Sequence, residues 1–275
     1  MNPRILALLS SLYGPAVASS CADKLAAMLD RFLASGLTEQ LNNRSRSLTQ
    51  RDAILITYAD QLREEGRPPL QSLGKFAQRH LTGMVSGVHL LPFYPWSSDD
   101  GFAVKDYYEV DPANGTWEDI TFLGSHFDLM VDAVLNHMSA GSGWFRDYLG
   151  DNPSCRDFFI AVRGDPDLSA VVRPRALPLL TEFEARDGKR KIWTTFSADQ
   201  VDLNFHEPAV LLASIDVLLH YVACGARFIR LDAIAFLWKE PGTSCLHLPQ
   251  THAIIRLWRA ALDEVAPGVQ LITET

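Results

Sequence analysis

Apolar positions in the first fifty residues recur at helical spacing, through Leu25, Met28, Leu29, Phe32 and Leu33. That spacing predicts amphipathic helix, followed by a polar loop at Asn42, Asn43, Arg44 and Ser45. From Ile54 the pattern changes to a short β-branched run ending at Tyr58, then a polar turn and a helix over about 70–81. A second apolar run, 85–93, closes at Pro92 and Pro95. Thr116 ahead of Trp117, Glu118 and Asp119 reads as a helix N-cap with acids in the first turn. A third strand over 129–135 runs into Asn136 and His137. A helix at about 208–223 precedes a fourth strand at 226–231, and a helix at about 249–265 precedes a fifth at 269–273.

Strands of nearly continuous apolar residues alternating with helices predict a parallel sheet covered on both faces. Between the third strand and the helix at 208 the rhythm breaks for about 65 residues, too long for a plain loop. The expected organisation is an N-terminal helical segment (1–50), a partial β/α barrel (51–138 and 204–275) and an inserted subdomain (139–203).

Composition narrows the class. Hydrophobic residues are 47% and charged residues 21%, enough apolar surface for a sizeable core in a soluble protein. The net charge is −8 and no Lys/Arg run stands out, which argues against nucleic-acid phosphates as partners. Cys21, Cys155, Cys224 and Cys245 lie far apart with no CxxC pair, so neither a zinc site nor a disulfide framework is expected. Arg4 and the apolar run from Ile5 to Leu9 loosely imitate a secretory signal, but Tyr13, Gly14 and Pro15 interrupt it early. No apolar stretch approaches the ~18 residues of a membrane span. A cytoplasmic protein with reduced thiols and no membrane partner is the expectation.

Chemistry in α/β folds gathers at the C-terminal ends of parallel strands. The second strand leads to Asp99 and Asp100, the third to His137, the fourth to Arg230 and Asp232, and the fifth to Glu274. Arg230 and Asp232 are two apart on a strand and so share a face. A guanidinium there is expected to hold the carboxylate ionised. Glu274 from the neighbouring strand could bring a second carboxyl to ~5–5.5 Å, the spacing of retaining glycoside chemistry. Taken singly, Arg230 with Asp232 could be a structural ion pair and His137 a satisfied core histidine.

Asp132-Ala-Val-Leu-Asn136-His137, Phe228-Ile-Arg230-Leu-Asp232-Ala and Leu-Ile-Thr-Glu274 resemble the first three conserved stretches of glycoside hydrolase family 13, the α-amylase family. His89-Leu-Leu-Pro-Phe93, Ser98-Asp99-Asp100-Gly101-Phe102, Val172-Arg173-Pro174-Arg175, Thr194-Thr-Phe196, Gln200-Val-Asp202 and Gly242-Thr-Ser-Cys245 look like its sucrose phosphorylase subfamily. The resemblance runs from about Ile54 to the last residue. It implies a (β/α)8 TIM barrel, here truncated after the fifth strand, with an inserted subdomain after the third.

It further implies Asp232 as nucleophile and Glu274 as general acid and base. Asp99, His137 and Arg230 would hold glucose hydroxyls, with Phe102 as an aromatic wall. Phe196 and Gln200 would line the acceptor side, and Arg175 would meet inorganic phosphate, a role that suits a planar guanidinium. The implied reaction transfers glucosyl from an α-glucoside to phosphate with retention. No cofactor is implied. Asn136 matches a residue that often helps hold calcium in α-amylases, but no carboxylate set completes a calcium shell, so no metal is expected.

The runs Pro-Trp-Ser-Ser-Asp-Asp-Gly-Phe and Arg-Pro-Arg-Ala-Leu-Pro-Leu-Leu resemble the glucosylglycerate and sucrose 6-phosphate branch more than the plain sucrose branch. Fructose, fructose 6-phosphate, glycerate and glycerol all stay open as acceptors, and the oligomeric state is left open. The family's third acid, an Asp following a His near the seventh strand, has no counterpart in the 275 residues. The expectation is therefore a chain incomplete as an enzyme. The rivals are a hydrolase or transglucosylase of the α-amylase or amylosucrase type, and a non-catalytic remnant of the same fold.

Overall fold

The computed structural model describes residues 2–38 and 47–274; the loop expected at 42–45 lies outside the described residues. Two helices open the chain, α1 (Pro3–Tyr13) and α2 (Pro15–Ala34). Gly14 turns between them at φ +78°, a setting that an L side chain resists. Then come β1 (Ile54–Thr57), α3 (Pro69–His80), β2 (Gly87–Leu90), α4 (Trp117–His126) and β3 (Asp128–Ala133). α4 starts from the expected cap, which is a full capping box: Thr116 and Asp119 each satisfy the other's backbone N–H.

The interval after β3 holds β4 (His137–Ser139), α5 (Gly143–Leu149), β5 (Ala161–Val162), β6 (Leu180–Ala185), β7 (Gly188–Trp193) and β8 (Gln200–Asp202). The chain then returns to α6 (Pro208–Ala223), β9 (Ala226–Leu231), α7 (Pro249–Val265) and β10 (Gln270–Thr273). α1, α2, α3, α6 and α7 each begin with proline, whose missing N–H has no partner to lose in a first turn.

β1, β2, β3, β9 and β10 lie side by side in that order, every pair parallel. All four residues of β2 and five of the six in β3 are buried, as expected of strands covered on both faces. The outer strands are different. Ile54 and Ile56 of β1 and Ile272 of β10 are exposed. α1 packs against both α2 and α7 and buries Ile5 and Leu9.

The interval 139–203 is not a loop. β6 and β7 form a hairpin that β5 extends, and β4 pairs antiparallel with β8. Val171, Leu179 and Trp193 bury a small cluster there, completed by Cys245 from the segment after β9. Among the described residues no helix is long and apolar enough to cross a membrane.

Candidate active site

Register places the first charges. Asp132 of β3 stands opposite Arg230 of β9, and parallel partners point to the same face. Arg230 Nη1 donates to Asp132 Oδ1 at 2.5 Å, and His89 Nε2 from β2 lies 2.8 Å from Asp132 Oδ2. Three neighbouring strands thus contribute one charged layer, buried at His89 and Asp132. Above it, Arg230 Nη1 also reaches Asp232 Oδ1 at 3.1 Å, while Nη2 donates to Glu274 Oε1 at 2.6 Å. Directly after Asp232, Ala233 takes the left-handed region at φ +50°, and its N–H donates to Glu274 Oε2 at 2.9 Å. One guanidinium therefore touches both carboxylates at the ends of β9 and β10.

Arg230 does not act on Asp232 alone. Burial pushes the Asp232 carboxyl up to about 7, and the charges of Glu274 and Asp132 add to the rise. Arg230 opposes this but divides its donors among three carboxylates, and its shortest contacts go to the other two. Proximity of one arginine is not decisive when two further anions compete for it.

The second group surrounds Asp99. Arg175 Nη2 donates to both Asp99 oxygens, at 3.0 and 2.9 Å, and Gln200 Nε2 donates to Oδ2 at 2.8 Å. Asp99 and Asp100 both adopt positive φ, at 57° and 50°. Gly101 follows at φ +102°, where a Cβ would lie 2.9 Å from the Pro92 carbonyl oxygen. The ring of Phe102 lies under Arg230, with the guanidinium carbon 5.7 Å from its centroid. Phe196 faces His137 at 5.1 Å between ring centroids and carries Arg175 over its ring at 5.8 Å.

His137 is buried, and burial lowers its pKa below the ordinary 6.5. Its Nε2 meets the Phe102 carbonyl at 3.0 Å and its Nδ1 meets Asn136 Nδ2 at 3.2 Å. Burial favours the neutral ring, whose Nε2 faces both the Phe102 carbonyl, an acceptor, and Gln200 Nε2, a donor at 3.1 Å.

Beneath His137 lies a sealed polar knot. Asp202 accepts from Thr195 N–H at 2.8 Å, Thr195 Oγ1 at 2.6 Å and Asn136 Nδ2 at 3.2 Å, and pairs with Lys239 Nζ at 2.6 Å. Lys239 also donates to Asn136 Oδ1 at 2.7 Å, so the amide oxygen considered for calcium faces an ammonium. Among the described residues no group of three or more His, Cys, Asp or Glu is arranged to hold a metal ion.

The model of the alpha amylase catalytic domain matches residues 81–275. The chain belongs to the alpha-amylase family. It is 52% identical to a glucosylglycerate phosphorylase of Spirochaeta thermophila over 99% of this chain and 47% of that protein. It is 51% identical to the glucosylglycerate phosphorylase of Escherichia coli over all of this chain and 49% of that one. A sucrose phosphorylase of Agrobacterium vitis is 33% identical over 80% of this chain and 46% of that protein. Among solved structures, sucrose 6F-phosphate phosphorylase from Thermoanaerobacter thermosaccharolyticum superposes with a TM-score of 0.75 at 28% identity, covering 83% of this chain and 49% of that one. The chain spans about half the length of the curated relatives it matches. The resemblance to the sucrose phosphorylase subfamily of the alpha-amylase family holds.

Within this alpha-amylase domain the nine residues singled out from sequence form one connected group. Asp232, Glu274 and Arg230 join through the guanidinium, Arg230 meets the ring of Phe102, and the Phe102 carbonyl meets His137. Gln200 links His137 to Asp99, and Arg175 links Asp99 to Phe196. Sequence reasoning gave no role to Asp132, His89, Asp202 or Lys239. The first three lie inside quoted stretches, but their function depends on inter-strand register that spacing along one strand does not reveal. Lys239 carried no signal of its own, since a lone lysine eight residues past a strand reads as surface.

Proposed function

We propose that this chain carries the nucleophile and the acid/base of a retaining α-glucoside phosphorylase, with glucosylglycerate as the first candidate substrate. The observation that carries the proposal is the single guanidinium of Arg230 bridging Asp232 and Glu274 at adjacent strand ends. That arrangement suits a pair of carboxyls sharing one glycosidic centre. Asp232 attacks the anomeric carbon as the bond to the leaving oxygen breaks, and Glu274 gives that oxygen its proton. An oxygen of inorganic phosphate then attacks the same carbon and releases the Asp232 carboxylate, while Glu274 takes the phosphate proton. α-Glucose 1-phosphate leaves with retained configuration.

The resting contacts must rearrange for this. Both Glu274 oxygens accept hydrogen bonds, whereas a general acid must hold a proton. An arriving saccharide oxygen displaces the Arg230 contact at Glu274, and the freed Nη2 turns to Asp232 and favours its ionised form. Asp99, His137 and Arg230 hold glucose hydroxyls beside the wall of Phe102. Phe196 and Gln200 line the acceptor side. Arg175 releases Asp99, an exchange made easy because both partners are partly exposed, and meets phosphate.

The parallel sheet is read as the first five strands of a (β/α)8 barrel and 139–203 as its inserted subdomain. The third acid and the remaining βα units are assigned to the half of the relatives' length that this chain does not span. The test is to take protein purified from its own source, establish its intact mass, and measure phosphate release from α-glucose 1-phosphate with glycerate, fructose or fructose 6-phosphate. Acceptor-dependent release supports a phosphorylase and names its acceptor. Glucose formed regardless of phosphate would assign a hydrolase instead.

A further inference from the structure

The turn that presents Asp99 has a holder outside the nine residues. Ser97, Ser98, Asp99 and Asp100 lie after β2, and two successive non-glycine residues there have left-handed φ. A pair of such residues in succession is strained and persists where its surroundings over-determine it. Asp199 supplies that constraint. Its Oδ2 accepts from the hydroxyls of both Ser97, at 2.5 Å, and Ser98. Its Oδ1 accepts from Ser139 Oγ at 3.3 Å and from Ala140 N–H at 3.2 Å. Its own carbonyl accepts from Ala140 N–H at 2.7 Å. The next residue, Gln200, takes hold of Asp99 itself. Two consecutive side chains thus grip the two ends of one turn, while β4 and β8 anchor the grip beside His137.

We infer that Asp199 is a positioning residue for the glucosyl site, fixing the Ser97–Ser98 end of the turn so that the Asp99 carboxylate is set for sugar hydroxyls before substrate arrives. This rests on the reading of Asp99 given under Proposed function. The geometry distinguishes it from a general stabiliser, because all four side-chain bonds go to the turn or to Ser139 and Ala140 at the end of the strand that carries His137. Preorganised hydrogen-bonding groups of this kind contribute by removing the ordering cost from the binding step.

The test uses Asp199→Ala and, separately, the double variant Ser97→Ala/Ser98→Ala, which cuts the two bonds to the turn from the other side. Amide hydrogen exchange followed by mass spectrometry is read for the peptide over 97–104 and for β2, β3 and β9. The expected result is about tenfold faster exchange in the turn for both variants, with the three strands unchanged. Faster exchange in the strands as well would mean a merely structural role, and an unchanged turn would overturn the inference. The second readout is calorimetric titration with α-glucose 1-phosphate. Binding should weaken about fivefold or more in each variant, with no further loss when the two are combined. Wild-type affinity in both variants would also overturn it. If wild-type protein binds no α-glucose 1-phosphate, the sugar-site reading fails, and the exchange result still decides whether Asp199 holds the turn.

Discussion

Lys239 Nζ lies 2.6 Å from Asp202 Oδ2, and neither side chain is more than 2% exposed. Burial lowers the lysine pKa and the Asp202 charge opposes that, so the pair stands or falls together. Removing one member leaves the other as a buried charge without compensation. Lys239→Met is expected to cost about 3–5 kcal/mol in equilibrium urea unfolding. The double variant Lys239→Met/Asp202→Asn should recover part of that loss. A single variant that costs under about 1 kcal/mol would show that water reaches the pair.

Asp232 gives stability an unusual slope. Its folded pKa, near 7, exceeds its ordinary value of 3.8. Between those values the native state binds more protons than the unfolded chain, so this group's contribution falls as pH rises through the window. Asp232→Asn should flatten the curve between about pH 4 and 7 and gain stability relative to the parent at pH 8. The same variant should lose turnover while staying folded. Urea melts of both proteins across that range provide the check, and an unaltered slope would assign the proton elsewhere.

His137 works in the opposite direction. Its depressed pKa means that its contribution is complete above the ordinary 6.5 and lost as pH falls through the lower, folded value. The midpoint of its C2–H proton resonance should therefore fall below pH 6.5. A midpoint at 6.5 would place the ring in water.

Under the proposed function, Arg175 is the residue that separates phosphate from water as acceptor. Arg175→Ala should lower phosphorolysis by about tenfold or more while hydrolysis changes by less than about threefold. Equal losses in the two reactions would point to damage in the Asp99 turn instead, because Arg175 also holds Asp99.

Much of the fold was legible because its signals are local. Helices α6 and α7 announce themselves by proline at the first position and apolar spacing after it, and β9 by the apolar Phe228, Ile229 and Leu231 after a glycine. The second apolar run was overread. Pro92 ends what hydrogen bonding can sustain, and only Gly87–Leu90 is strand. The β6–β7 hairpin turns at Arg186 and Asp187 with Gly188 opening β7, and the Asp-Gly pair is a turn signal that the flanking Glu, Ala and Lys residues, poor strand formers, hid. The members of the site were legible as motif residues, whereas their charge states were not. Those depend on how many carboxylates converge on Arg230, and convergence is a property of register across three strands.

The two proposed catalytic carboxyls do not ride on equally stiff supports. β9 is laced to neighbours on both sides, whereas β10 pairs with β9 alone among the described residues. Asp232 thus sits at the end of a beam clamped along both edges, and Glu274 at the end of one clamped along a single edge. On the proposed barrel reading a sixth strand would pair with the outer edge of β10 and steady Glu274 without touching either carboxyl, as a brace steadies a cantilever.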